Sequence, residues 1–276
     1  AYNNAGFSLS SNSLQDYRTN YLVNCVFVFL IVMGGLGWRR SESGREVGIV
    51  RTDHHLSTHK RIGAMGLNKE IDIMYAGTSG ELEASLKPLR YPISRGLIGY
   101  RVLIINKSQL THYNQISSFD QLAKQPALLG FGWTEVNMFR DNGMLVYEKS
   151  YDDIFAIINS GHPGYFSRGI LEVYGELQDR PELQKLVVHP GLLTSYPSAM
   201  YFFVHPDNDQ LAQLISDAFI NSYQDGSYLE FFYSHPLVKS ALDRANLKQR
   251  KKIIINHPWF QRESRQVADQ YWYDKL

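Results

Sequence analysis

The chain has 276 residues, 44% of them hydrophobic and 20% charged, which is the composition of a folded globular protein rather than a disordered one. Its formal net charge of +1 provides no basic field for nucleic acid or an anionic membrane. The single cysteine, Cys25, excludes an intrachain disulfide and a zinc site made of several cysteines. The length allows one large domain or two lobes of roughly 100 to 150 residues each.

The longest apolar run, Cys25 to Met33, lies within residues 14–37. It is shorter than the ~20 residues that a membrane span needs, and glycines end it. The pattern favours a buried core helix that begins near Ser13. A membrane-associated segment, with Arg39 and Arg40 behind it, stays open as the alternative.

Residues 70–106 organise the rest of the chain. An apolar run, Ile71 to Met74, predicts a buried strand, and it opens into the small and hydroxylated residues 76–80. A strand that ends this way and leads into a helix presents backbone N–H groups to a small ligand. A second strand is predicted at Val102 to Ile105.

Beyond residue 106, strand and helix patterns alternate, which predicts a parallel-rich α/β architecture. The predicted strands are Ala127 to Phe131, Met144 to Tyr147, Leu186 to His189 and Tyr201 to Val204. The predicted helices begin at Ser118, at Thr134, at Tyr151 and at Asp209. The last of these, through Gln224, has an apolar stripe of Leu211, Leu214, Ile215, Ala218 and Phe219. The basic run KQRKK at 248–252 is interpreted as a solvated helix end.

Several motifs that follow one another along the chain resemble those of a known protein family. They are an I-D-x-x-x-x-x-T-S stretch, an L-R-Y-P-I stretch, the segment G-L-I-G-Y-R at 96–101 and the segment Y-F-S-R-G at 165–169. Over roughly residues 55 to 250 the chain resembles a divergent branch of bacterial extracellular solute-binding proteins of the amino-acid-binding type, family 3.

The resemblance implies the two-lobed fold of periplasmic binding proteins type II, an α/β architecture with two crossing strands as its hinge. Placed on this chain, lobe 1 is expected at 1–104 plus 203–276, and lobe 2 at 105–202. The crossing strands are expected at Val102–Lys107 and at Ala199–Val204.

The resemblance also suggests ligand contacts. The family's strand-end hydroxyls correspond to Thr78 and Ser79, but its carboxylate-binding arginine corresponds to Leu82. The acid of the family's second lobe falls near Ser167 and Arg168. The α-amino-acid signature is therefore not intact in this chain.

Three arginines offer positive charge for a polar or anionic ligand, with ion pairing as the alternative: Arg90, Arg101 and Arg168. Trp133 and Thr134 follow a strand and open a helix, so they can present a stacking face and amide groups to a ligand. A core tryptophan with a capping threonine is the competing interpretation. Tyr165 is a further candidate for the cleft lining.

No cofactor or metal is predicted. Asp53, His54, His55 and His59 form the one metal-like cluster, but they lack the supporting glutamate of a hydrolase. The turn at residues 77–80 is not a G-x-S-x-G nucleophile motif, and no phosphate-binding glycine loop occurs, so we expect a protein that is not an enzyme.

We therefore expect an extracytoplasmic solute-binding protein that captures a small polar ligand, an amino acid or a related metabolite, for an ABC-type transporter. The expected partner is a membrane permease or receptor, the expected state a monomer, and the expected location the periplasm, reached by a signal peptide absent from this chain. Two alternatives stay open: a ligand-sensing module of a membrane receptor or cyclase, and a degenerate binding fold used for protein interaction.

Overall fold

The computed structural model describes residues 63, 65, 72–263 and 266–273. The predicted helix near Ser13, the single cysteine and the histidine cluster at 53–59 lie outside these residues. The chain divides into two compact units. The first unit consists of the described residues up to Arg95, together with Met200–His235 and Val267–Trp272. The second unit consists of Gly96–Ala199, together with the described residues of Pro236–Gln266 and Tyr273.

Ten strands occur in the part of the chain that is described: β1 Ile73–Gly77, β2 Lys87–Leu89, β3 Tyr100–Asn106, β4 Ala127–Gly130, β5 Val146–Lys149, β6 Tyr165–Gly169, β7 Leu186–Val188, β8 Leu192–Ser195, β9 Met200–Val204 and β10 Lys251–Ile254. The α-helices of the same residues are α1 Gly80–Ser85, α2 Leu110–Tyr113, α3 Phe119–Ala123, α4 Thr134–Asp141, α5 Tyr151–Asn159, α6 Val173–Gln178, α7 Asp209–Gln224, α8 Ser227–Ser234, α9 Pro236–Ala245 and α10 Pro258–Glu263.

The first unit contains a three-stranded antiparallel sheet in the order β1-β9-β2. Helix α7 begins after Asn208, whose side chain accepts a hydrogen bond from the amide of Leu211. The bounds of α7 agree with the sequence prediction, but its buried stripe does not: Leu214 is 41% exposed, and Ala212 is buried instead. Ile215, Ala218 and Phe219 are buried as predicted, and the buried face includes Ala212 and Ser222 but not Leu214.

The second unit contains a seven-stranded mixed sheet in the order β10-β8-β3-β6-β4-β5, with β7 also paired to β3. Strands β4 and β5, β4 and β6, and β8 and β10 run parallel, whereas β3 is antiparallel to β6, β7 and β8. The prediction of a parallel-rich sheet is therefore wrong, because helix and strand spacing does not report the direction of β3.

One edge of this mixed sheet collects several strand ends. Strands β4 and β6 are parallel, so their carboxyl ends lie at the same edge. Strand β3 begins there, because Arg101 is paired with Gly169 at the end of β6. Strand β8 ends there, because Ser195 is paired with Tyr100. We call this the carboxyl edge; it positions the residues described below.

The unit boundaries differ from the expected lobes. The chain passes from one unit to the other after Arg95 and after Ala199, and residues 236–266 join the second unit. Strand β3 lies wholly in the second unit and β9 wholly in the first. The expected lobe bounds and the hinge at the crossing strands stay predictions. The basic run at 248–252 is also not a helix end, because Lys251 and Lys252 begin β10, which pairs with β8.

No helix among the described residues is both long enough and apolar enough to cross a membrane.

Candidate functional site

In the first unit, Glu83 is contacted by Thr78 and Arg90, whereas Ser79 caps the helix that contains it. The Thr78 hydroxyl donates to Glu83 Oε1, and Arg90 Nη2 lies 2.6 Å from Glu83 Oε2. Ser79 is the N-cap of α1, where its Oγ accepts a hydrogen bond from the amide of Leu82 at 3.3 Å. Leu82, to which the resemblance assigns the position of the carboxylate-binding arginine, is only 3% exposed and packs into the core.

At the carboxyl edge, a glycine-containing loop joins β4 to α4. The Trp133 indole lies against Gly130, where an added Cβ would be 2.3 Å from indole Cε2. Gly132 has a φ of +69°, and its amide donates to Glu148 Oε2 at 3.1 Å. This hydrogen bond and the charge of Arg140 lower the pKa of Glu148. The loop therefore buries much of the indole and starts α4 at Thr134.

Arg168 lies buried near the end of β6 and is held by two carboxylates. Its Nε donates to Glu176 Oε2 at 2.9 Å, its Nη2 binds Glu176 Oε1, and its Nη1 lies 3.4 Å from Glu172 Oε2. The guanidinium also stands 5.0 Å from the Trp133 ring centroid. Burial disfavours the charged form, yet these glutamates raise the pKa of Arg168 above its ordinary value.

Arg101, at the start of β3, is buried beside Arg168 and is also paired. Its Nη2 lies 2.9 Å from Glu135 Oε1, and its Nη1 lies 3.7 Å from Glu172 Oε2. Tyr196, which follows β8, donates its hydroxyl to the same Glu135 oxygen at 3.3 Å. Glu135 stands in the first turn of α4, where a negative charge complements the helix dipole.

These side chains form one set, which we call the arginine–glutamate cluster: Arg101, Arg168, Glu135, Glu172 and Glu176. Its two positive and three negative formal charges leave one negative charge in excess. Burial raises the pKa of Glu172, but Arg168, Arg101 and the amide of Gly169 outweigh that and lower it below the ordinary value. Glu172 is therefore ionised at neutral pH.

Tyr165 begins β6 and is fully buried, with its ring edge-on to Tyr113 at 6.2 Å between centroids. Burial raises the pKa of its hydroxyl, which has no hydrogen-bond partner among the described residues. The predicted cleft tyrosine is thus a core residue in this structure.

The predicted site residues accordingly form two separate groups. Thr78, Ser79 and Arg90 belong to the first unit, and the others belong to the second. In the second unit the structure brings together Trp133, Arg101 and Arg168, whereas Tyr165 packs into the core.

Sequence reasoning missed three residues at the carboxyl edge. Phe131, which directly follows β4, is 66% exposed. Glu135 and Glu172 complete the arginine–glutamate cluster. An apolar residue between two glycines after a predicted strand is a signal that could have identified Phe131. The two glutamates needed the fold, because pairing with Arg101 brings them from distant parts of the chain.

No group of three or more His, Cys, Asp or Glu side chains placed to hold a metal ion occurs within residues 72–263 and 266–273.

No protein-family model matches the chain, and no curated protein matches its sequence. Solved structures do match. An ancestral arginine-binding protein bound to glutamine has a TM-score of 0.53 and 15% identity, over 77% of this chain and 86% of that one. The GluR0 ligand-binding core in complex with L-glutamate has a TM-score of 0.53 and 15% identity, over 75% and 86%.

A third match is an amino acid ABC transporter substrate-binding protein from Streptococcus pneumoniae bound to L-arginine. Its TM-score is 0.52 and its identity 12%, over 79% of this chain and 82% of that one. This chain has the type II periplasmic-binding-protein fold. The predicted fold class is therefore confirmed, and so is the resemblance to amino-acid-binding proteins at the level of fold. All three matched proteins are binding proteins by their descriptions.

Proposed function

We propose that this chain is an extracytoplasmic solute-binding protein, of a divergent branch of family 3, that captures a small polar ligand for an ABC-type transporter. The observation that carries the proposal is the similarity of fold to binding proteins over three quarters of the chain. The proposed location is the periplasm, and the proposed partner is a membrane permease.

The proposed contacts lie at strand ends that open helices. In the first unit these are Thr78 and Ser79, between β1 and α1. In the second unit they are the first turn of α4, at Trp133 and Thr134, together with the exposed Phe131. Ligands of α/β sheets bind outside the carboxyl ends of strands, which is where the second group lies.

The buried arginines and Tyr165 receive a supporting role in this proposal. Arg168 and Arg101 are held by glutamates, and Arg90 is held by Glu83. They fix the elements on which the ligand contacts stand.

A sensing module is the second candidate, because one of the matched structures is the ligand-binding core of GluR0. The two candidates share the ligand-binding step and differ in the membrane partner. Co-purification with a permease complex supports transport, and co-purification with a receptor or cyclase supports sensing.

The test of ligand capture is a thermal-shift screen against a metabolite library, followed by calorimetry of each hit and small-angle scattering with and without it. We expect at least one ligand that raises the melting midpoint of the protein and produces a second, more compact conformation in scattering. If no compound binds and scattering shows a single conformation, the proposal is wrong, and a degenerate binding fold becomes the better explanation.

Phe131→Ala is the sharpest variant for the same screen. Because the side chain is 66% exposed, its removal leaves the core intact. We expect weaker ligand binding with an unchanged melting midpoint. Leu214→Ala is the matched control, since Leu214 is also a large exposed apolar residue but stands on α7 of the first unit. Equal binding by both variants contradicts a ligand contact at Phe131.

A further inference from the structure

We propose that residues 236–252, together with the neighbouring Ile254, form a surface that binds the anionic headgroups of a phospholipid membrane. We call it the basic surface. It contains none of the proposed ligand contacts, so the inference goes beyond the proposed solute-binding function and does not depend on it. A protein bound in this way stays at the membrane that holds the proposed permease.

The formal charge of this chain is unevenly distributed. Residues 236–252 contain six lysines and arginines but only one acidic residue, Asp243, which gives this segment a net charge of +5. The rest of the chain therefore has a net charge of −4, within a total of +1. A total charge near zero hides this basic segment, whose field acts on anions within a Debye length, ~8 Å at physiological ionic strength.

The exposed cations of this segment have not been neutralised by the fold. No carboxylate of the described residues forms an ion pair with any of the four exposed ones, which are Lys239, Arg244, Lys248 and Lys251. Five other arginines of the described chain are instead paired with carboxylates: Arg90, Arg101, Arg140, Arg168 and Arg180. The positive charge of the basic surface is thus available to an anion from outside.

Arg250 holds the turn from α9 to β10, which carries Lys248. Its Nε donates to the carbonyl of Ala245, at the end of α9. Its Nη1 donates to the carbonyl of His189 and, at 3.0 Å, to that of Leu192 at the start of β8. Carbonyl groups satisfy the N–H donors of a guanidinium without cancelling its charge. The turn is therefore fixed in place and stays positive.

Arg244 is held by an aromatic ring. Its guanidinium carbon lies 4.4 Å from the centroid of the Tyr174 ring of α6. Burial raises the pKa of the Tyr174 hydroxyl, and the charges of Arg250 and Arg244 only partly offset this, so both guanidiniums lie near one phenol. A cation that is already positioned loses less side-chain entropy when it binds an anion.

An exposed aliphatic side chain lies next to these cations in the chain. Ile254 ends β10 and is 64% exposed, and the exposed Lys251 begins the same strand. Strand β10 is the outermost strand at one end of the mixed sheet. A lipid surface uses both features, because its phosphates attract the cations and its interfacial region takes up an aliphatic side chain. A single-stranded nucleic acid favours aromatic rings for stacking, which Ile254 does not provide.

The experiment measures binding of the full chain to vesicles by flotation. Vesicles of phosphatidylglycerol and phosphatidylcholine in equal parts are compared with vesicles of phosphatidylcholine alone. We expect at least about tenfold tighter binding to the anionic vesicles, because several cations approach the charged surface together. Most of this difference should disappear at about 1 M salt, where the Debye length falls to ~3 Å.

Lys248→Glu with Lys251→Glu reverses two charges of the basic surface, and we expect at least about tenfold weaker binding to anionic vesicles. Lys124→Glu with Lys185→Glu is the matched control, because these lysines are exposed in the second unit outside the basic surface and the total charge changes equally. We expect its binding to stay within about threefold of the unsubstituted protein. Ile254→Ser should weaken binding about threefold and leave the salt dependence unchanged. Melting midpoints of all variants are measured first.

A DNA duplex and a polyglutamate peptide are titrated as alternative anionic partners, at equal concentrations of phosphate or carboxylate. Tighter binding of either one than of the anionic vesicles overturns the assignment to a membrane. Absence of vesicle binding, equal binding to both kinds of vesicle, or equal losses in the two double variants also overturns it. All of these outcomes leave the solute-binding function standing, because the metabolite screen tests that function separately.

Discussion

At the scale of single residues, the carboxyl edge shows that a charged side chain in a sequence does not reveal what its charge is used for. Arg101 and Arg168 are both buried, and both are paired with glutamates of other elements. A buried arginine without a partner costs several kcal/mol of folding free energy, on the order of what desolvating an ion requires. The protein therefore needs these ion pairs in order to fold, whatever their part in ligand binding.

Arg168→Ala is expected to reduce the free energy of unfolding by about 3–5 kcal/mol, because it leaves the partly buried Glu176 without its partner. Urea unfolding measures the loss. Arg140→Ala is the control: Arg140 pairs with Glu148 at the surface, and exposed ion pairs contribute little to stability. Equal stability of the two variants would show that the cluster does not support the fold.

His189 makes the stability depend on pH. Burial, and then the charge of Arg250, lower its pKa from 6.5 to about 4. Its Nδ1 accepts hydrogen bonds from the amides of Gly191 and Leu192 at 3.2 and 3.1 Å, which requires that nitrogen to be unprotonated. The unfolded state binds a proton more readily, so this contribution is fully present above pH about 6.5 and is lost as the pH falls through about 4.

We therefore expect the free energy of unfolding to fall by up to about 3 kcal/mol between pH 7 and pH 4 on account of His189. In His189→Gln this part of the pH dependence disappears. Because burial also lowers the pKa of His235 and His257, the measured quantity is the difference in slope between the two proteins. Identical slopes in urea titrations across this range contradict the assignment to His189.

At the scale of elements, the turn from β4 to α4 depends on close packing between a backbone and a ring. Gly130 ends β4, and the Trp133 indole that precedes α4 covers it. The ring also faces Arg168, so the loop, the helix start and the cluster are held by the same contact. The strand end and the helix start that carry the proposed ligand contacts are in this way tied to the core.

Gly130→Ala is expected to destabilise the protein by about 1–3 kcal/mol, because the new methyl group overlaps the indole. The double variant Gly130→Ala with Trp133→Leu should recover part of the loss, and a double-mutant cycle from urea unfolding measures the coupling. In Gly132→Ala the added Cβ meets nothing within 4 Å, so only the strain of a φ of +69° remains. If the stability losses of Gly130→Ala and Trp133→Leu simply add in the double variant, overlap between the methyl group and the indole is not the cause.

At the scale of the whole molecule, the final described segment returns to the first unit and is fastened there. Arg95 donates to the carbonyls of Trp272 at 2.6 Å and Gln270 at 3.2 Å, and to the Tyr233 hydroxyl at 2.8 Å. Tyr271 packs edge-on against Tyr91 and Tyr223. Arg95 has a φ of +50°, an unusual conformation for a residue with a side chain, and its hydrogen bonds offset that strain.

Arg95→Ala should release the segment 267–272 without unfolding the rest of the first unit. We expect amide exchange of this segment to become at least about tenfold faster, since hydrogen bonds from a charged donor are lost. Hydrogen-exchange mass spectrometry of the full chain makes the measurement. Lys87→Ala, which removes an ion pair with the exposed Asp209, is the control and should leave that exchange unchanged. No change in Arg95→Ala would assign the docking to the aromatic contacts alone.

Local signals determined much of this protein from its sequence. Helices α3, α5 and α7 start within one residue of the predicted positions Ser118, Tyr151 and Asp209, and the apolar run of β3 is a buried strand. The motifs at 96–101 and 165–169 indicated the fold class that the structure has. Capping, periodicity and short motifs act over a few residues, so they can be read without the tertiary structure.

Tertiary structure alone decided the direction of β3, the pairing of β10 with β8, and the partners of the buried arginines. Glu135 and Glu172 reach Arg101 over 34 and 71 residues of chain, and no local pattern encodes such a pairing. Strand order and charge pairing depend on which distant surfaces are buried together. The sequence by itself therefore determined the α/β fold class. The tertiary structure decided that Arg101 and Arg168 are paired with glutamates, because a charge can be buried only where another element neutralises it.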